Sequence, residues 1–131
     1  MKKDIQIPKV TDVYVAVVNE FNKEHQTHDW NAYIINNKDV DLEMVLIVTK
    51  GYNETKITPT MRHSIKMLPA RSYAKIEYLQ EAVLKLNNEF KVTFFEGNTM
   101  YDKTYLFRKN TINKNALQNL PLMQEKGVLV K

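Results

Sequence analysis

Apolar and polar positions along this chain alternate far more often than they repeat at helical spacing, and period-two alternation is the mark of a strand with one buried face. Val13-Tyr14-Val15-Ala16-Val17-Val18 is different. It is a β-branched run with no polar face, so it predicts a strand covered on both sides. The polar stretch from Asn22 to Asp29 follows, a loop or a short helical turn. Trp30-Asn31-Ala32-Tyr33-Ile34-Ile35 predicts the second strand, with Trp30 as a core anchor. Asn36 to Asp39 carries turn chemistry. Val40, Leu42 and Met44 then alternate with Asp39, Asp41 and Glu43, leading into the apolar Val45-Leu46-Ile47-Val48.

After a second turn at 51–56, Met61, His63, Ile65 and Met67 alternate with Arg62, Ser64 and Lys66, and Pro69 closes that strand. Ala74, Ile76 and Tyr78 alternate with Lys75 and Glu77. The region 73–88 carries two patterns at once. Ile76, Leu79, Val83, Leu86 and Phe90 are spaced as a helix stripe, with Glu81 and Lys85 as an i, i+4 pair and Ser72 as a possible cap. The alternation before Leu79 favours a strand over 72–78 and a short helical connection near 80–88. Phe90 to Phe95 and Thr104 to Phe107 flank Glu96 to Met100, a hairpin with a longer loop.

These elements predict a mainly β chain: an immunoglobulin-like β-sandwich of about seven strands. Residues 1–109 form the single domain. Residues 110–131 form a basic C-terminal tail, packed on the domain or extending from it. The length of 131 residues suits one domain with a core of its own.

Composition narrows the chemistry. The chain has no cysteine, which excludes disulfides, thiolate metal sites and cysteine nucleophiles. No secretory signal and no run long enough for a membrane helix is visible, so the expected location is the cytoplasm, with no membrane partner. The net charge is +4. Acidic and basic residues cancel up to residue 98; the excess comes from Lys103, Arg108, Lys109, Lys114, Lys126 and Lys131 set against Asp102 and Glu125. A basic end interleaved with Phe95, Tyr101 and Tyr105 is one way to hold a single-stranded nucleic acid.

Catalytic constellations are thin. His25 and His28, with Asp29 adjacent and Glu24 nearby, have metal-ligand spacing but no distant third ligand. Asp39, Asp41 and Glu43 share a strand face without the pattern of a calcium loop. Ser64 and Ser72 lack the nucleophile-elbow motif, and a Ser72–His63–Asp triad exists only on paper. With three glycines in the chain there is no phosphate cradle. No catalytic residue, metal or cofactor is assigned. The candidate binding residues are Arg62, His63, Lys66, Arg71, Lys103 and Arg108. Arg62, Lys66 and Arg71 suit a phosphate or carboxylate, His63 lies on an apolar strand face, and Lys103 and Arg108 sit among the terminal aromatics.

The stretches Trp30 to Asn37, Leu42 to Tyr52, Thr60-Met61-Arg62-His63-Ser64 and Asn88 to Arg108 together resemble a small bacterial family without an established function, over nearly the whole chain. Its members are sometimes labelled phenylalanyl-tRNA synthetase alpha-subunit-like. A class II synthetase needs a far longer chain and a glycine-rich ATP motif ending in arginine. Neither exists here, so the resemblance implies no synthetase activity and only a lean toward RNA or translation partners. The expectation is a non-enzymatic binding or interaction module with a protein partner. The alternatives are an RNA-binding protein using the basic end and a small enzyme centred on His63. A homodimer through a sheet edge or the C-terminal tail is a further expectation, with Val128-Leu129-Val130 adding a strand to a neighbour.

Overall fold

The computed structural model describes residues 8–130. The strands are β1 (Val13–Asn22), β2 (Thr27–Asn36), β3 (Leu42–Tyr52), β4 (Met61–Leu68), β5 (Ser72–Leu79), β6 (Asn87–Glu96), β7 (Thr99–Phe107) and β8 (Gly127–Val130). Two 3-10 turns, Glu81–Lys85 and Lys114–Ala116, are the helical elements described. The strands form two antiparallel four-stranded sheets, β5-β2-β1-β8 and β4-β3-β6-β7, packed as a β-sandwich. Residues 72–79 are a strand and 81–85 a 3-10 turn, so alternation decides over the helix stripe there.

The core lies between the sheets. The first contributes Val13, Val15, Val17, Ala32 and Ile34; the second contributes Leu42, Val45, Ile47, Phe90, Val92 and Phe94. Buried Tyr105 on β7 donates its hydroxyl to the Val13 carbonyl at 2.5 Å, tying the two sheets together. Burial pushes that hydroxyl's pKa well above its ordinary value. Trp30 is half-buried and packs against the core from its margin; the large interior side chains are Tyr105, Phe90, Phe94 and Phe107.

Several strands slip out of strict alternation. On β3, Met44 has φ 49 where the β3–β6 register shifts. Leu42 faces inward before the slip, and Val45, Ile47 and Thr49 after it, so Met44, expected on the buried face, is 70% exposed. The β2–β5 register shifts at Ala32/Tyr33 with one extra residue, Ile76, on β5. Tyr78, expected inward, therefore points out, and Leu79 is buried in its place. Met61 is exposed at the start of β4, an edge strand, whereas Met67 pairs with Glu43 and turns outward while Leu68, opposite Leu42, is buried.

The hairpins are tighter than the polar stretches imply. The β1–β2 ladder continues to Asn22↔Thr27, so half of the stretch 22–29 is strand and only residues 23–26 form the turn. Asn22 Oδ1 accepts the Glu24 and His25 N–H groups, which closes the turn without helical bonds. Glu96 pairs directly with Thr99, leaving a two-residue turn in which Gly97 takes φ 56, a left-handed backbone that favours glycine.

The segment after Arg108 lies on the domain. Ile112 joins the core, Leu120 and Met123 are buried on the outer face of the first sheet, and β8 pairs with β1. β8 is an eighth strand, too short at four residues to show a pattern. It passes so close to β1 that a Cβ at Gly127 would lie 2.8 Å from the Val17 carbonyl. No helix among the described residues is long and apolar enough to cross a membrane.

Candidate functional site

The six candidate binding residues do not converge. Arg62 and Lys66 lie exposed on the outer side of β4, as does Ser64. Arg71 is a clamp on the β2–β3 loop. It has φ 53, its backbone N–H donates to the Lys38 carbonyl, and its guanidinium donates to the carbonyl and side-chain oxygen of Asn37. Lys103 lays its Nζ 4.9 Å from the centre of the Tyr105 ring. Arg108 is exposed just past β7, and its carbonyl caps Thr111. His63 alone belongs to a polar group that faces between the sheets.

That group crosses the sandwich. His63 on β4 pairs with Ile47 of β3, and the inward phase of both strands places its ring beside the edge of the first sheet. Its Nε2 lies 2.7 Å from Glu77 Oε1 on β5. Thr49 on β3 donates its hydroxyl to the same Oε1, also at 2.7 Å. Glu77 is brought inward by the β5 register shift, which sets it opposite Ala32. About a quarter of the His63 side chain and a fifth of the Glu77 side chain remain exposed. Hydrogen bonds to a partly desolvated carboxylate are among the stronger ones, of order 1.5–3 kcal/mol each.

Glu77 and Thr49 form part of the wall of a cleft of about 420 Å³ at this end of the sandwich. Gly51, Thr58, Leu79, Val83, Asn88 and Phe90 complete much of its lining. The loop after β3 is pinned over it. Thr58 N–H donates to the Gly51 carbonyl and Gly51 N–H to Thr58 Oγ1, both at 2.8 Å. Asn88 is buried at the start of β6. Its amide nitrogen donates to the carbonyls of Val83 and Leu86 and so holds the 3-10 turn in place.

Tyr78 and Leu79 also line a broader depression of about 820 Å³, which contains His25, His28, Asp29 and Lys75. Two residues of the group with metal-ligand spacing, Asp29 and His28, are engaged there in other contacts. Asp29 accepts from Asn22 and Thr27, and these two bonds, that from Asn22 first, lower its carboxyl pKa. His28 packs its ring 5.2 Å from that of Phe21. Among the described residues no group of three or more histidines and carboxylates could hold a metal ion. The acidic strand face also disperses, with Asp41 accepting the Ala70 N–H and Met44 turned outward beside Glu43.

The aromatics interleaved with basic residues are largely interior. Tyr105 is buried, and Tyr101 stacks on Phe94 at 5.2 Å with 7° between the rings. Lys38 pairs with Glu96, Lys50 with Glu89, and Lys109 with Glu54.

Thr49, Glu77 and Asn88 were not among the residues singled out from sequence. Two of them carried a signal. Asn88 is in phase with Phe90, Val92 and Phe94, and Thr49 with Val45 and Ile47, so alternation alone puts a polar side chain on the core face at both positions. Glu77 carried none, because the extra residue on β5 reverses its side. No family model matches the chain, and no curated protein does.

Proposed function

We propose that this chain is a non-enzymatic binding module that holds a small molecule in the cleft at the end of its sandwich. The observation that carries this is the Glu77 carboxylate, fixed in the cleft wall through one oxygen by Thr49 and His63. An acid oriented by two neighbours beside a partly apolar cavity is the arrangement of a specificity contact. A catalytic reading needs a nucleophile or reacting group in reach of His63. Ser64 and Arg62 lie on the opposite face of β4, and the Ser72 hydroxyl donates to the Pro69 carbonyl.

The immunoglobulin-like form of the sandwich is part of the same reading and rests on strand order. The first, second and fifth strands share one sheet; the third, fourth, sixth and seventh share the other. Such sandwiches commonly bind at their ends, where connecting loops cluster. The 51–60 loop, the 3-10 turn 81–85 and the β7 exit meet at this end, with Lys109 N–H donating to Asn87 Oδ1 and Asn110 N–H to the Leu84 carbonyl.

A fragment screen on the full chain, read by amide chemical shifts in NMR, tests the reading. Fragments are expected to move the amides of Gly51, Thr58, Gln80 and Asn88 and to be recovered chemically unchanged. Hits confined to the outer faces of the sheets, or turnover of a bound fragment, would overturn it.

A further inference from the structure

The cleft offers its occupant hydrogen-bond acceptors in particular. Glu77 spends only Oε1 on Thr49 and His63; Oε2 accepts no bond from the described residues. Asn88 is 5% exposed, and both hydrogens of its amide nitrogen go to backbone carbonyls. Its Oδ1 accepts no bond from the described residues either. Oδ1 lies beside Gly51, which lines the cleft: a Cβ there would sit 3.4 Å from it and 3.3 Å from the Leu86 and Thr58 side chains.

The charge balance has the same sign. Of the other ionisable groups in the cleft wall, Lys50 and Glu89 lie 3.8 Å apart and offset each other. Glu77 is then the remaining charge of the wall, and His63 offsets it only when protonated. Two acceptors that the surrounding residues leave without donors, neither sealed from solvent, take N–H or O–H groups from water or from a ligand. A cation carrying N–H groups satisfies both oxygens and the charge. The remaining wall, with Leu79, Val83 and Phe90, suits an apolar body.

Spacing narrows the class. Glu77 is held at Thr49, and Asn88 pairs with Gly51, two positions further along β3. Two residues of strand span about 7 Å. Acceptors held at two separate strand positions suit a planar group with N–H donors on two nitrogens, each bond about 2.9 Å long, better than a single nitrogen. We propose that the cleft takes an amidinium or guanidinium group on a compact apolar body, donating to Glu77 Oε2 and Asn88 Oδ1. This rests on the reading of the cleft as the ligand seat.

The test uses three probes of one shape on the full chain: benzamidine, benzoate and benzyl alcohol, each titrated while amide shifts are followed. Benzamidine is expected to saturate shifts at Gly51, Thr58, Glu77 and Asn88, and benzoate to leave them in place. Glu77→Gln keeps an oxygen for Thr49 and His63 but removes the charge, and it should weaken benzamidine by about tenfold or more. Gly51→Ala, whose methyl would meet Leu86, Thr58 and Asn88 Oδ1 at 3.3–3.4 Å, should weaken it as well. The cation is rejected if benzoate or benzyl alcohol moves the same amides as well as benzamidine does, or if folded Glu77→Gln binds benzamidine like the parent; the cleft then stands as a site for other ligands. If none of the probes moves those amides, both the cation and the ligand seat are rejected.

Discussion

The two outer faces of this sandwich are treated differently by the chain. On the first sheet, Ala16, Val18 and Ile35 point away from the core and are nonetheless buried, because residues near the C-terminal end lay Leu120 and Met123 over them. On the second sheet, Met44, Leu46 and Met100 point outward and stay uncovered, among Arg62, Lys66 and Lys91. The difference is written in β1. A strand apolar on both faces needs two partners, and the sandwich interior supplies only one. Strands that alternate charge with apolar residues need one. Residues of the basic segment after 110 therefore serve as a second layer on one sheet, and Lys114 and Lys126 stay exposed.

Four measurements would break or sharpen this contrast. Removing residues 110–131 exposes the apolar outer face and strips Ile112, Leu120, Met123 and Val128 from their contacts. At about 1.5–3 kcal/mol for each large side chain, that loss rivals the whole stability of a domain. The truncated chain should lose its cooperative thermal transition and bind a hydrophobic dye. A melt like that of the full chain would mean the cover is ornamental. Leu120→Ala alone should cost about 2–4 kcal/mol in denaturant unfolding, and a cost under about 0.5 kcal/mol would refute the packing described.

On the bare sheet the signs and sizes change. Met44 sits in the left-handed region without the freedom of glycine, so Met44→Gly should stabilise the fold by about 1 kcal/mol. Destabilisation by that variant would show that the exposed side chain makes contacts worth more than the backbone strain. Met100→Thr, on an exposed strand position, should shift stability by no more than about 0.5 kcal/mol.

Much of the architecture was legible from alternation. The strand at 13–18 with both faces apolar, the strand at 72–78 and the paired aromatic strands near 90 and 105 follow from side-chain phase alone. What alternation cannot reveal is where its own phase slips. Met44 and Ile76 each insert one residue, and each reverses the side on which the next residues fall. The second slip hid Glu77. The polar cluster was half-visible through His63, Thr49 and Asn88, all in phase with core residues, but its geometry depends on β4 and β5 lying at neighbouring edges of opposite sheets. The basic residues raise a different difficulty. Arg71 and Lys103 make local contacts with a loop carbonyl and a ring, and charge counts do not separate such contacts from a binding surface.

The bond from Tyr105 to Val13 joins groups 92 residues apart, and β8 closes on β1 from further still. Contacts of that reach form late, since a long loop of chain loses its freedom before they compensate for it. On the ribosome, β1 would emerge with both apolar faces bare well before either cover exists. The nascent chain is thus expected to depend on chaperone shielding until β7 and β8 have emerged, and to acquire its native form in slow steps.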